Sequence, residues 1–292
     1  MNAILETGAV TTRGIERVLG SQVAPVGTFT VRRALPARDR HSVGPFVFLD
    51  HFGPFRVTPG HDGVGPHPHA GIETVTYLFS GRNQHRDSAG HTGIVSAGGA
   101  QWMTAGRGII HAERPLAESE AELTMHGLQL WTSLPRLLKL GNPRYQRIAA
   151  HDIAERERDG VKLRVVAGTL DGLTGPAQVL MPLVLAHVEL APGAHFEAEV
   201  PEGFEVGTYV VEGAIDASGT RAQAGELVVF DSAPGAIVLE NSDSSTTHAM
   251  ILGGAPAEGP LVFHGPFVMN TVEQVRAADV AYRTGRMGTL EE

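Results

Sequence analysis

The chain of 292 residues contains no cysteine, which excludes disulfides, thiolate nucleophiles and sulfur ligands. Any metal it holds sits on nitrogen and oxygen. It also lacks long apolar runs: none approaches the roughly 18 residues needed to cross a bilayer. The opening MNAILETGAVTTRGIERV has no charged-then-apolar order of a secretory signal, so a cytoplasmic protein without membrane contact is expected. Basic charge is scarce as well, with 23 Lys and Arg against 32 Asp and Glu and a net charge of -9. Direct binding to nucleic acid is therefore not expected, because that needs a basic surface. Aromatic residues make up only 6% while hydrophobic residues reach 42%, which describes a globular protein with a core of Val, Leu, Ile and Ala.

What the chain does have is punctuation. Its 36 Gly and 18 Pro separate short segments rich in Val, Thr, Tyr and Phe, such as 74–79, 183–190, 207–211 and 226–230. This pattern predicts an all-β fold with frequent turns. A phrase occurs twice, Glu73-Thr-Val-Thr-Tyr-Leu-Phe-Ser-Gly81 and Glu205-Val-Gly-Thr-Tyr-Val-Val-Glu-Gly213, 132 residues apart. Each reads as a strand running into a glycine turn, so the repeat predicts two copies of one β-barrel. Pro135, Gly141-Asn142-Pro143 and the charged run 152–159 place a boundary between them, dividing the chain into domains 1–140 and 141–292. Pro135 is expected to open a short helical turn. Thr271-Val-Glu-Gln274 is a capping-box pattern, and Val272, Val275, Val280 and Tyr282 predict a short amphipathic C-terminal helix, ending before Gly285, that closes over a β domain.

The chemistry concentrates in His67-Pro-His69 and His111-Ala-Glu113. Side chains at i and i+2 share one face of a strand, so two such strands facing each other bring three imidazoles and one carboxylate to a common point. Pro66 and Pro68 suit an edge or irregular strand, and the glycines of Thr104-Ala-Gly-Arg-Gly-Ile supply a tight turn into the second pair. Neutral imidazole with carboxylate suits one divalent first-row metal ion, with Fe, Mn, Co, Ni, Cu and Zn all compatible. His51, His61, His85, His91 and His126 are expected to be ordinary surface or hydrogen-bonded histidines, with His51, beside Asp50, the one placed to line a cavity. Gln101, Trp102, Met103 and Arg107 divide between core packing, turn formation and pocket lining.

The run His-x-His-x3-Glu before a glycine turn resembles the first cupin motif, in which Glu73 supplies the carboxylate. A more specific resemblance covers the chain from near residue 13 to the tail. HPHAGIETVTYLFSG, QWMTAGRGIIHAE, SVGPFVFLDHFGP (42–54) and GPFVMNT (265–271) together resemble the pirin family, a two-domain branch of the cupins. That resemblance implies a bicupin: two tandem cupin-type barrels with a short C-terminal helix, the metal in the first. It carries the ligands over as His67, His69, His111 and Glu113. Between the two carboxylates Glu113 is preferred, because an i, i+2 partner of His111 requires no bend of the chain to be undone. Glu73 is then expected to orient a ligand histidine.

At the repeat offset, Glu199 and Pro201 replace His67 and His69, while Asp243 and Ser245 replace His111 and Glu113. Sliding the alignment to His248-Ala-Met250 restores one imidazole. The second domain is thus expected to lack metal ligands and to stabilise or shield the first. The resemblance also implies Fe(II) as the metal and an activity of the quercetin 2,3-dioxygenase type, in which dioxygen opens a flavonol with loss of carbon monoxide. The partners would be a flat aromatic substrate and dioxygen, with Phe46, Phe48, Ile109 and Ile110 around the site and Glu113 as the catalytic base. The alternative implied by the animal members is a non-catalytic, iron-containing, redox-sensitive regulator that binds a protein partner. Against it, Arg32-Arg33 and Arg38-Asp39-Arg40 are too short and interrupted for a nuclear-import cluster.

Overall fold

The structure, a computed structural model, describes residues 11–27, 29–58, 63–117 and 123–291. Its strands build four principal sheets, two for each half of the chain. In the first half a seven-stranded antiparallel sheet runs in the spatial order Arg144–Ile148, Ala100–Thr104, Ile72–Ser80, Leu123–Ser133, Phe46–Val57, Phe29–Leu35, Gln22–Val26. A four-stranded sheet accompanies it, ordered Val64–His69, Ile109–Pro115, Arg82–Asp87, Thr92–Ser96. The second half repeats both arrangements. Its larger sheet runs Ile15–Gly20, Glu226–Phe230, Glu205–Glu212, Thr247–Gly254, Leu183–Leu190, Val161–Ala167, Ala154–Arg158. Its smaller one runs His195–Glu199, Ala236–Glu240, Ala214–Ala217, Thr220–Gln223.

The two halves match strand for strand, and the doubled phrase falls on equivalent strands, Ile72–Ser80 and Glu205–Glu212. The outermost strands are exchanged between the halves. Ile15–Gly20 lies before the first barrel yet pairs with Glu226–Phe230 of the second. Arg144–Ile148, beyond residue 141, pairs with Ala100–Thr104 of the first. Each half therefore completes the sheet of the other.

The cores follow from the alternation of side chains along these strands. Inward residues of the second barrel, among them Val184, Val188, Phe196, Val206, Ile237 and Leu239, fill it with aliphatic and aromatic groups. The opposite faces of the two larger sheets pack against each other: Phe46, Val75, Tyr77, Trp102 and Leu128 from one half meet Leu185, Tyr209, Leu227, Val229 and Met250 from the other. At roughly 25 cal/mol per Å² of apolar surface removed from water, such a seam holds the halves as one body.

The tail returns to the first half. The helix Val272–Arg283 begins at Thr271, whose hydroxyl accepts from the Gln274 amide while the Gln274 side chain accepts from the Thr271 amide, which is the expected capping box. Its buried face differs from the expected one: Val275 and Ala278 are buried, whereas Val272, Val280 and Tyr282 are exposed. The buried pair packs with Phe267, Met269 and Met287 on Ala70 and Ile110, beside the strands that carry His69 and His111. The predicted helical turn at Pro135 is a pair of tight turns instead, closed by Leu138 N–H to Pro135 O and Gly141 N–H to Leu138 O.

Candidate metal centre

The first barrel holds histidines where the second holds hydrocarbon. His67 and His69 lie on the edge strand Val64–His69, and the pairing sets His111 opposite His67 and Ile109 opposite His69. Pro66 and Pro68 are tolerated there because one side of an edge strand needs no amide donors. The corresponding strands of the second barrel present Phe196, Ala198, Ile237 and Leu239 inward. The sequence therefore decides which barrel is filled and which is left polar.

The ligand atoms of His67, His69 and His111 all lie within 4.8 Å of one another. The Nε2 atoms of His67 and His111 are 3.0 Å apart, and each ring is held by its other nitrogen. His67 Nδ1 lies 2.9 Å from Gly65 O, and His69 Nδ1 lies 3.2 Å from Pro266 O. His111 Nδ1 faces His85 Nδ1 at 3.4 Å, and His85 Nε2 in turn meets Asp87 Oδ2 at 2.9 Å. The set Asp87–His85–His111 is a carboxylate-to-imidazole relay ending on the cluster. Burial, reinforced by the neighbouring His67, lowers His69 to about 3, and burial also pushes His111 well below the usual imidazole range. Both are therefore neutral at physiological pH, the state a metal ligand needs. Burial alone would raise Asp87, but hydrogen bonds from His85 and His91 outweigh it and hold the carboxyl below its ordinary value.

Glu113 shares the cavity but falls outside the three-histidine cluster. The pairing of its strand shifts register between His111 and Glu113, so the carboxylate does not simply repeat the direction of His111. Its Oε1 receives hydrogen bonds from Thr76 Oγ1 at 2.7 Å, Asn83 Nδ2 at 3.1 Å and Gln101 Nε2. No described residue donates to Oε2. Glu73 does not orient a ligand histidine, contrary to expectation. It projects from the opposite face of its strand to Thr76, is buried, and accepts from the hydroxyls of Thr104 at 2.8 Å and Thr132 at 3.2 Å. Burial raises its pKa.

The reversal that separates His69 from Glu73 is made by Gly71 at φ +77°, where a Cβ would collide with the Val268 carbonyl. Lys139 fixes this bend from within. Its ammonium donates to Gly71 O at 2.9 Å, Ser133 Oγ at 2.9 Å and Val268 O at 3.0 Å, and burial lowers its pKa to about 8. One buried lysine thus ties the bend after His69 to the tail.

A cavity of about 550 Å³ opens onto the cluster, lined by His67, His69, Thr76, Glu113, Gln129 and a largely apolar wall that includes Phe48, Phe52, Trp131 and Phe263. Phe48 stacks on Trp131 with centroids 4.0 Å apart, and the edge of Trp131 meets His69 at 4.9 Å. The Arg33 guanidinium covers Phe48 at 4.6 Å and binds both Asp50 oxygens, at 2.8 and 2.7 Å. Of the four apolar residues expected around the site, only Phe48 lines the cavity. Leu123–Ser133 pairs Trp131 with Phe48 but Thr132 with Phe46, so Val47 is an extra residue on its strand. That bulge sends Phe46 into the seam between halves. Ile109 packs with Met103 and Val268, and Ile110 packs under the tail helix.

His51 lies away from this cavity, in the seam, while His85 is a hydrogen-bonded histidine outside the three-histidine cluster, as expected, placed between Asp87 and His111. His91 serves Asp87; His61 lies outside the described residues. Gln101 reaches Glu113, Trp102 and Met103 are core, and Arg107 is exposed and bonds Asn142. Sequence reading missed the tail: Gly265 and Pro266 line the cavity, which gives GPFVMNT its place.

Two matched β-barrels, one with a histidine cluster inside it, define a two-domain cupin. The Pirin family profile matches residues 28–132 and the Pirin C-terminal cupin domain matches 185–288. Human Pirin is 35% identical over 263 residues, covering 88% of each chain. A Pirin-like protein of Caulobacter vibrioides is 35% identical over 279 residues and 94% of each chain. A crystal structure of quercetin 2,3-dioxygenase from Acinetobacter baumannii superposes with a TM-score of 0.89 at 32% identity, covering 96% of this chain and all of that one. The chain belongs to the pirin family.

Proposed function

We propose that the protein is a dioxygenase of the pirin type that uses one divalent metal ion, Fe(II), to open a flavonol such as quercetin. The observation that carries this reading is the convergence of three imidazoles on an aromatic-walled cavity in a chain similar to a quercetin 2,3-dioxygenase. The donor set fits an ion: two nitrogens bound at roughly 2.1 Å lie about 3.0 to 3.4 Å apart for angles between right and tetrahedral, and His67 and His111 are 3.0 Å apart.

His67, His69 and His111 would hold the metal, with Glu113 as fourth ligand after a side-chain rotation or as an uncoordinated base. A bound redox-active metal supplies the one-electron chemistry that lets a closed-shell phenol react with dioxygen. The remaining work belongs to the chain. Thr76, Asn83 and Gln101 fix Glu113 through Oε1, leaving Oε2 to accept the proton of an acidic hydroxyl on the substrate. Phe48, Phe52 and Trp131 present an apolar wall suited to a flat ring system, and a cavity of about 550 Å³ falls within the usual range for such ligands.

The test is anaerobic loading of chelator-stripped protein with Fe(II), then oxygen uptake and carbon monoxide release on adding quercetin. Uptake should require iron and should vanish in His67→Ala. Uptake that persists in that variant, or its absence in the loaded parent, would refute the reading.

A further inference from the structure

The duplication places a second constellation at the seam between the halves. Pairing relations make His51 and His187 equivalent, as they do His126 and His248, and Tyr77 and Tyr209. Leu128 lies opposite both His51 and Tyr77, and Met250 opposite both His187 and Tyr209. Each half contributes a histidine pair and the other half completes it with a tyrosine: Tyr209 OH lies 3.0 Å from His51 Nδ1, and Tyr77 OH lies 3.1 Å from His187 Nδ1.

The two copies differ in ways that matter for metal binding. In the first, the Nε2 atoms of His51 and His126 are 2.7 Å apart, a hydrogen-bond separation too short for both to bind one ion. The nearest carboxylate there, Glu212, lies 3.5 Å from the other nitrogen of His126, and Gly53 occupies the position equivalent to Glu189. In the second, His187 Nε2 and His248 Nδ1 are 3.3 Å apart, within the span of about 3.0 to 3.4 Å expected for two nitrogens on one ion. Glu189 stands two residues from His187 and directly across the ladder from His248. The ligand atoms of all three lie within 4.8 Å of one another.

We infer that His187 Nε2, His248 Nδ1 and the Glu189 carboxylate form a second binding site for a divalent transition metal such as Zn²⁺, outside the first barrel and at the seam. On this inference the second domain, expected to lack metal ligands, would carry a site of its own. The pattern His187-Val-Glu189 repeats the spacing of His111-Ala-Glu113 on a different strand of the barrel, and the half-buried Glu189 has no hydrogen-bond or ion-pair partner among the described residues. Lys162, its neighbour on the next strand, is engaged with Glu155 at 3.3 Å instead. Metal on Nε2 leaves His187 Nδ1 to donate to the Tyr77 hydroxyl oxygen, the outer contact that metal-bound histidines usually make. Because Tyr77 comes from the other half, an ion here fastens the two halves together.

Calorimetric titration of the stripped full-length protein with Zn²⁺ tests this, with Co²⁺ absorption as a second signal. The parent should bind two equivalents, and His248→Ala and Glu189→Gln one each. His67→Ala/His69→Ala should retain one equivalent together with a Zn²⁺-dependent rise in melting temperature, and adding His248→Ala should abolish both. Glu189→Gln is isosteric and half-exposed, so it separates loss of the site from loss of the fold. A parent that binds one equivalent, lost in His67→Ala/His69→Ala, or a stoichiometry unchanged in both His248→Ala and Glu189→Gln, would overturn the assignment. Neither result counts against the first-barrel site.

Discussion

His111 and His85 face each other through their Nδ1 atoms at 3.4 Å, so the protonation of one ring fixes that of the other. With His85 Nε2–H directed to Asp87, His85 Nδ1 is the acceptor, His111 Nδ1 carries the proton and His111 Nε2 is free for a metal. Asp87 itself is anchored by the backbone amides of Ala89 and His91, each 3.0 Å from Oδ1.

Replacing His85 with Phe should keep the stacking on Tyr145, now at 4.3 Å, while removing the acceptor for His111. Metal affinity is expected to fall about 10- to 100-fold, measured by competition with a chromophoric chelator. Asp87→Asn should fall in the same direction. Unchanged affinity in both would remove the relay from the account.

Glu113→Gln keeps the shape but not the charge of the residue that Thr76, Asn83 and Gln101 hold. The three histidines should still take up metal. Turnover of quercetin should drop by roughly 10²- to 10⁴-fold, the usual contribution of a positioned base. Steady-state oxygen uptake at saturating substrate gives the comparison.

Lys139→Met leaves the Gly71 and Val268 carbonyls and the Ser133 hydroxyl without their buried donor. At about 1 to 3 kcal/mol for each unsatisfied group, partly relieved by relaxation, a loss of roughly 3 kcal/mol is expected. Urea denaturation of the metal-free protein should show it as a lower midpoint.

Acid should destabilise the fold through the seam. Burial, then the neighbouring His126, lowers His51 to about 3 from an ordinary 6.5. The unfolded chain therefore takes up a proton below about pH 6.5 that the folded one refuses until about pH 3, and stability declines as pH falls through that window. Melting temperatures of metal-free protein should drop across it, and less steeply in His51→Gln.

The architecture was legible because alternation, turn residues and the doubled Glu-x3-Tyr phrase act locally. The closeness of His67 and His69 was legible for the same reason, since i, i+2 spacing on a strand gives a shared face, whereas His111 joins them by lying opposite His67 and its own i+2 partner Glu113 stays outside the cluster. What escaped depended on partners distant in sequence. The bulge at Val47 that turns Phe46 away from Phe48 is created by register against Trp131 and Thr132. Glu73 faces away from the cavity because of the bend at Gly71, which Lys139 and Val268 stabilise from elsewhere. Pro266 completes the support of His69 from 197 residues away. His187-Val-Glu189 repeats a readable spacing, but it lies on a strand that is not the equivalent of those carrying His67, His69 and His111, so the repeat offset does not point to it.

Anomalous diffraction at the iron edge, from crystals loaded anaerobically with Fe(II), tests most directly whether the three histidines bind iron. A peak is expected in the first barrel within roughly 2.0 to 2.2 Å of Nε2 of His67, His69 and His111. No peak at these three nitrogens, with iron bound elsewhere or not at all, would contradict it.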